Sequence, residues 1–127
     1  MNRLQREMTM FILAGFSAVA TDMSAYYLLF NFLGHSSAKA ISFISGSVVA
    51  YVLNKYLTFE QKRKSYSEVL KFGMLYTTTL GVNVAVNKLS LTFLPGWVFN
   101  AFLLATSAST VLNFLGQKFW VFKVKTL

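Results

Sequence analysis

The sequence predicts an all-α integral membrane protein: four transmembrane helices arranged as two tandem two-helix repeats, with both termini cytoplasmic. The first observation behind this is composition. Of 127 residues, 55% are hydrophobic and 17% aromatic, while 13% are charged; an ordinary soluble domain carries about 25% charged residues. The second is the placement of charge. Arg3 and Arg6 precede the first apolar run, Lys55, Lys62, Arg63, Lys64 and Lys71 surround the central polar segment, and Lys118, Lys123 and Lys125 close the chain. The other two connections hold only His35, Lys39 and the uncharged Pro95-Gly96. Basic residues thus alternate with the crossings, and the positive-inside rule puts both termini and the central loop on the cytoplasmic side. The third is duplication. Ser42, Gly46, Ala50 and Asn54 form a small, polar helix face that leads into Lys55-Tyr56-Leu57-Thr58-Phe59. Ser109, Asn113 and Gln117 likewise lead into Lys118-Phe119-Trp120-Val121-Phe122. Two parallel two-helix units imply repeats related by an axis along the membrane normal.

The same figures narrow the function. Topology explains the net charge of +8, so no nucleic-acid surface is expected. The absence of cysteine excludes disulfides and thiolate metal sites. One histidine and four acids leave neither a metal set nor a nucleophile–base pair, so neither an enzyme nor a cofactor is expected. No linker divides the chain, and residues 1–127 are expected to form a single membrane domain.

Residues 8–33 form the first expected span. A bilayer core needs about 20 helical residues, whereas the apolar region of a cleavable signal has roughly 7–15. Asp22 lies deep in this span and shares a face with Gly15, Ala18 and Ala25. A carboxylate there costs on the order of 2.5–3.5 kcal/mol, so Asp22 must face protein, water or a cation. It is either a structural pairing group or a coupling group for transport. Gly34-His35-Ser36-Ser37 makes a short outer turn, and His35 has no companion ligands for a metal.

The second span covers residues 38–58. Its small face lets another helix backbone approach closely, and Lys55 at its end is long enough to snorkel to the interface. EQKRKSYSE, residues 60–68, is hydrophilic and is expected to start an interfacial helix or turn, its Lys62-Arg63-Lys64 attracting anionic headgroups. The third span, residues 70–94, carries Thr79, Asn83 and Asn87 on one face, with Lys88 as a second embedded charge. Laying residues 11–30 over 72–91 sets Asp22 opposite Asn83. An Asp22–Lys88 pair is open, given tilt. After Pro95-Gly96, Trp97 is an interfacial anchor. The fourth span, residues 98–119, holds Thr106, Ser109, Thr110, Asn113 and Gln117 on a broad polar face. Such faces are expected to converge on a shared interior or groove, which a homo-oligomer or a partner subunit would complete.

These residues resemble the GtrA-like family, small four-helix membrane proteins of polyprenyl-phosphate sugar pathways. The resemblance covers nearly the whole chain. It is carried by Ala20-Thr21-Asp22, by Lys39-Ala40-Ile41-Ser42-Phe43, and most specifically by two segments. These are Ala50-Tyr51-Val52-Leu53-Asn54-Lys55-Tyr56-Leu57-Thr58-Phe59 and Asn113-Phe114-Leu115-Gly116-Gln117-Lys118-Phe119-Trp120-Val121-Phe122. The family pattern runs Asn, basic, aromatic or basic, Trp, β-branched, Phe. Leu57 replaces the tryptophan in the first copy, and Gln117 stands where asparagine is common in the second.

The resemblance implies a flippase for an undecaprenyl-phosphate-linked monosaccharide, commonly glucose, in the bacterial cytoplasmic (inner) membrane. The sugar would serve surface polysaccharide or teichoic acid glycosylation. Implied partners are the polyprenyl-phosphate-linked sugar, membrane lipids, a polyprenyl glycosyltransferase and a multi-span glycosyltransferase. Against such a substrate, Lys55, Lys118 and Lys88 are candidate phosphate partners. Asn54, Asn83, Asn87, Asn113 and Gln117 offer amides to sugar hydroxyls. Tyr56, Phe59 and Trp120 are candidates to stack on the sugar or hold the tail, and Asp22 to pair helices or couple protons. Two rival readings remain. A non-transporting scaffold of a glycosyltransferase would use the stripes as partner interfaces. A small multidrug-resistance-type antiporter fits the acid in helix one but fits Lys88 and the basic inner face poorly.

Overall fold

The computed structural model describes residues 2–63 and 65–123. Lys64, Lys125 and the His35 side chain lie outside the described residues. The described residues form four α-helices, two of them prolonged by a short π-helix, and contain no strand. The segments Arg3–Leu29, Ser37–Thr58, Tyr66–Phe93 and Val98–Val121 are each long and apolar enough to cross a membrane. The protein is a multi-pass membrane protein. Its chain separates into two compact units, residues 1–62 and 63–127.

Unit 1 contains α1 (Arg3–Leu29), α2 (His35–Leu53) and π1 (Asn54–Thr58). Helix α1 begins at Arg3 rather than at residue 8, because its polar start is capped. Gln5 N donates to Asn2 Oδ1 at 2.8 Å, and Asn2 N donates to Gln5 Oε1 at 3.2 Å. This reciprocal box satisfies two amides the helix leaves open, and it brings Glu7 onto the helix. At the far end α1 stops at Leu29 rather than 33, and Leu33 N closes the turn on Leu29 O at 2.8 Å. The helices run antiparallel, with Phe11 against Phe59, Ala18 against Gly46 and Asp22 against Lys39.

Small residues fill the interface. Ala14 and Ala18 of α1 are buried, as are Ala38, Ser42, Gly46 and Ala50 of α2 and Asn54 of π1. A Cβ on Gly46 would lie 2.8 Å from the Ala18 carbonyl oxygen and 3.1 Å from Asp22 Cβ. Glycine is what permits the approach, and close backbone packing is what holds helices together where lipid is as apolar as the side chains. The large residues point outward: Ile12, Phe16, Val19, Ile44 and Val48 are all exposed. That is the reverse of a soluble core.

Unit 2 contains α3 (Tyr66–Phe93), α4 (Val98–Gly116) and π2 (Gln117–Val121). Helix α3 starts at Tyr66 rather than 70, so the expected interfacial segment resolves into a short irregular link and the first turn of α3, which carries Glu68. Gly96, at φ 87°, makes the turn into α4, a conformation glycine adopts without Cβ strain. Leu75 against Gly116, Thr79 against Asn113 and Asn83 against Ser109 show that α3 and α4 are antiparallel. The stripe Ala101, Ala105, Ser109 and Gln117 is buried.

Candidate functional site

Each unit ends in a widened turn. Phe59 N donates to Asn54 O, and Phe122 N to Gln117 O, both at 2.8 Å and both spanning five residues instead of four. Single π turns inside α-helices occur frequently at functional sites. Both are followed by a residue of positive φ, Glu60 at 52° and Lys123 at 47°.

In unit 1 the π turn encloses Lys55, which is 2% exposed. Lys55 is long enough to snorkel, but here it is enclosed. The same unit also buries an acid, Glu7, at 1% exposure; buried charges persist when compensated. Arg3 Nε also lies 3.9 Å from Glu7 Oε2. Asn54 accepts a hydrogen bond from Thr58 Oγ1 at 2.9 Å. Arg6 covers the turn: it donates to Leu57 O at 2.7 Å and Thr58 O at 3.2 Å, and its Nη1 lies 2.8 Å from Glu60 Oε1. Tyr56 is exposed, with Lys55 Nζ 5.6 Å from its ring centroid. Phe59 is a correction. It is 1% exposed and 6.5 Å from Phe11, so it packs the unit's interior because the π turn rolls it inward.

Unit 2 repeats these features with changes. Lys118 and Glu68 are both buried. Lys118 Nζ lies 5.5 Å from the Phe119 ring centroid and 5.9 Å from that of Phe114. Trp120 is partly exposed, and Lys71 Nζ sits 5.8 Å from its centroid. Val121 stands where unit 1 has Thr58, and among the described residues the buried Gln117 amide makes no hydrogen bond at either atom. Further along the helices, Thr79 Oγ1 donates to Asn113 Oδ1 at 2.8 Å and Asn83 Nδ2 to Ser109 Oγ at 3.0 Å. Asn87 is half-buried and Lys88 is exposed.

Two expectations change accordingly. Ser42, Gly46, Ala50 and Asn54 of the first stripe, and Ser109 and Gln117 of the second, are buried within their own unit, where small residues allow close contact, while Thr110 is exposed; the amides of Asn83 and Asn113 are bonded there. And Asp22 takes its cation from its own unit: Lys39 Nζ donates to Asp22 Oδ1 at 2.9 Å and Oδ2 at 3.0 Å.

The GtrA/DPMS transmembrane-domain family model matches residues 10–122. The chain belongs to this family. The GtrA/DPMS protein is also similar to the uncharacterized membrane protein YngA of Bacillus subtilis (strain 168), with 29% identity over 122 residues, covering 88% of this chain and 76% of the relative. No solved structure matches it. Membership places it among membrane proteins of polyprenyl-phosphate-sugar handling.

Several site residues of this GtrA/DPMS protein escaped the sequence reading: Glu7, Glu68, Arg6 and Lys71, together with Lys39 as the partner of Asp22. The signal for the acids was present. Extending the overlay of residues 11–30 on 72–91 toward the N-terminus sets Glu7 against Glu68. Glu68 fell in the hydrophilic segment expected at the interface, and Glu7 lies ahead of the first expected span.

Proposed function

We propose that this GtrA/DPMS protein is a flippase for an undecaprenyl-phosphate-linked monosaccharide, with glucose as the leading candidate, in the bacterial cytoplasmic membrane. The observation that carries the reading is the buried lysine beside a buried amide in the π turn of each unit, Asn54-Lys55 and Gln117-Lys118. The substrate combines an anionic phosphate, a hydroxyl-rich ring and a long apolar tail. Lysine meets phosphate as a point charge, and phosphate is the ligand that takes over as counter-charge from a carboxylate such as Glu7 or Glu68. The tail stays in lipid beside the large exposed apolar residues, so only the head travels along the hairpins. Translocation breaks no bond and calls for no catalytic group. A polyprenyl glycosyltransferase would supply the substrate, and a multi-span glycosyltransferase would consume it for surface polysaccharide or teichoic acid glycosylation.

Burial of the stripes within each hairpin favours this reading over a scaffold, which would keep them for a partner's helix. The Asp22–Lys39 ion pair favours it over a cation antiporter, which needs an acid ready to exchange its cation.

The test removes the charges in neutral pairs. Losing one partner of a buried pair costs about 3–5 kcal/mol, while apolar replacement of both is often neutral. Glu7→Gln/Lys55→Met and Glu68→Gln/Lys118→Met are therefore expected to keep wild-type abundance and melting. Combined, they should lower flipping of polyprenyl-phosphoglucose in reconstituted vesicles at least about tenfold, the loss of one charge-assisted contact. Wild-type flipping by the combined variant would remove the lysines from the mechanism.

A further inference from the structure

At the hairpin end of unit 1, away from π1, α1 and α2 border an open cavity of about 260 Å³ lined by Met23, Tyr26, Tyr27, Phe30 and Lys39. Three of its rings cluster. Tyr26 lies 5.8 Å from Tyr27 and 5.7 Å from Phe30, and Tyr27 lies 6.0 Å from Phe30. Lys39 Nζ sits 5.8 Å from the Tyr26 centroid while it holds both Asp22 oxygens. Neither π turn contributes to this cavity.

We propose that the cavity docks the sugar ring of the lipid-linked substrate. The aromatic cluster packs on the C–H face of a pyranose, and the Lys39 ammonium, held by Asp22, hydrogen-bonds its hydroxyls. This rests on the flippase reading and adds to it a sugar-specific site, distinct from the phosphate-binding lysines.

The chemistry of the lining selects the occupant. A carboxylate has about four acceptor positions and an ammonium three donors, so the pair retains bonding capacity after the contacts at 2.9 and 3.0 Å. The Lys39 side chain is 57% exposed. An acyl chain in the cavity would satisfy the rings but leave that ion pair facing hydrocarbon, which is costly. A second anion would meet the Asp22 carboxylate beside its cation. A neutral ring with an apolar face and an edge of hydroxyls suits both halves of the lining.

Unit 2 offers no counterpart of this set. In the overlay of the first helices, Asn83, Asn87, Lys88 and Leu91 stand opposite Asp22, Tyr26, Tyr27 and Phe30; aligning Asn54-Lys55 with Gln117-Lys118 puts Phe102 at the place of Lys39. Among the described residues, both units carry a lysine turn, while the aromatic set beside Lys39 belongs to unit 1. With the termini cytoplasmic, that site lies where the head group arrives after crossing.

The experiment uses the full chain in nanodiscs and two calorimetric probes, a short-chain polyprenyl-phosphoglucose and the same polyprenyl phosphate without sugar. The wild type should prefer the glucosylated lipid. Tyr26→Ala/Tyr27→Ala should weaken glucosylated-lipid binding about tenfold, the loss of roughly one good contact, and leave the sugar-free lipid unchanged. Tyr26→Phe, which keeps the ring, should retain most of the affinity. Where the double variant loses the wild-type melting profile, Phe30→Leu is read in its place, with the same selective loss expected. Equal weakening of both lipids would assign the cavity to the chain, and an unchanged sugar preference would empty it of any role; either overturns the proposal and spares the flippase reading. A wild type that binds both lipids equally does the same. A wild type that binds neither overturns the flippase reading, and this site with it.

Discussion

Gln117 is enclosed, and among the described residues neither of its amide atoms is bonded, while Asn54, at the same place in unit 1, is bonded by Thr58 across one helical turn. Val121 replaces the hydroxyl that would serve it. An unsatisfied buried amide costs about 1–3 kcal/mol, so unit 2 tolerates a strain that unit 1 has removed. Gln117→Asn/Val121→Thr should restore the bonded pair and stabilise the protein by about 1 kcal/mol, read as a higher melting temperature in detergent. If Gln117 serves the substrate, the stabilised variant should also flip more slowly, since relieved strain at working sites commonly costs activity. A variant that melts lower than wild type would show that the amide is satisfied in the membrane. At this scale the sequence was legible in part. The face containing Ser42, Gly46, Ala50 and Asn54 emerged from spacing alone, and it is buried, though within its own hairpin. The burial of Lys55 was not legible, because it depends on how the two helices of unit 1 enclose the end of the second span, which no local sequence pattern records. A lysine at the end of an apolar run snorkels unless the fold encloses it.

Among the elements, hydropathy located all four helices, and their ends depended on chemistry that hydropathy does not register. The start of α1 is set by the Asn2–Gln5 capping box. The π turns have no periodic signature, since each adds one residue to a turn and is held by contacts from elsewhere in its unit. For π1 the holding group is Arg6, whose guanidinium bonds the Leu57 and Thr58 carbonyls freed by the end of the helix. Arg6→Ala should therefore destabilise unit 1 by about 1 kcal/mol, a charge-assisted bond discounted for its partial exposure. It should also speed amide hydrogen exchange from Asn54 to Gln61. Glu60→Gln should do much less, because it removes only an exposed ion pair worth about 0–1 kcal/mol. Equal exchange in both variants would mean that Arg6 acts through Glu60 and not through the carbonyls.

For the whole molecule, the family, the four spans and the pairing of helices into hairpins were open to a sequence reading, because bilayer thickness and charge asymmetry constrain them directly. The mechanism also needs an orientation: both lysine turns must lie on the face where the lipid-linked sugar is made. Basic residues in short loops set that orientation, and Arg3, Arg6, Lys62 and Arg63 all flank the helix ends nearest the π turns. The absence of cysteine makes the test direct, since every introduced thiol is unique. Arg3→Cys and Lys62→Cys should react with an impermeant maleimide only after the membrane is opened. Gly34→Cys and Trp97→Cys, at the two hairpin turns, should react in intact cells. A labelled Lys62→Cys in intact cells would put π1 on the outer face. Lys55 would then meet the substrate's phosphate at release instead of at capture, and the sugar site beside Asp22 and Lys39 would become the entry.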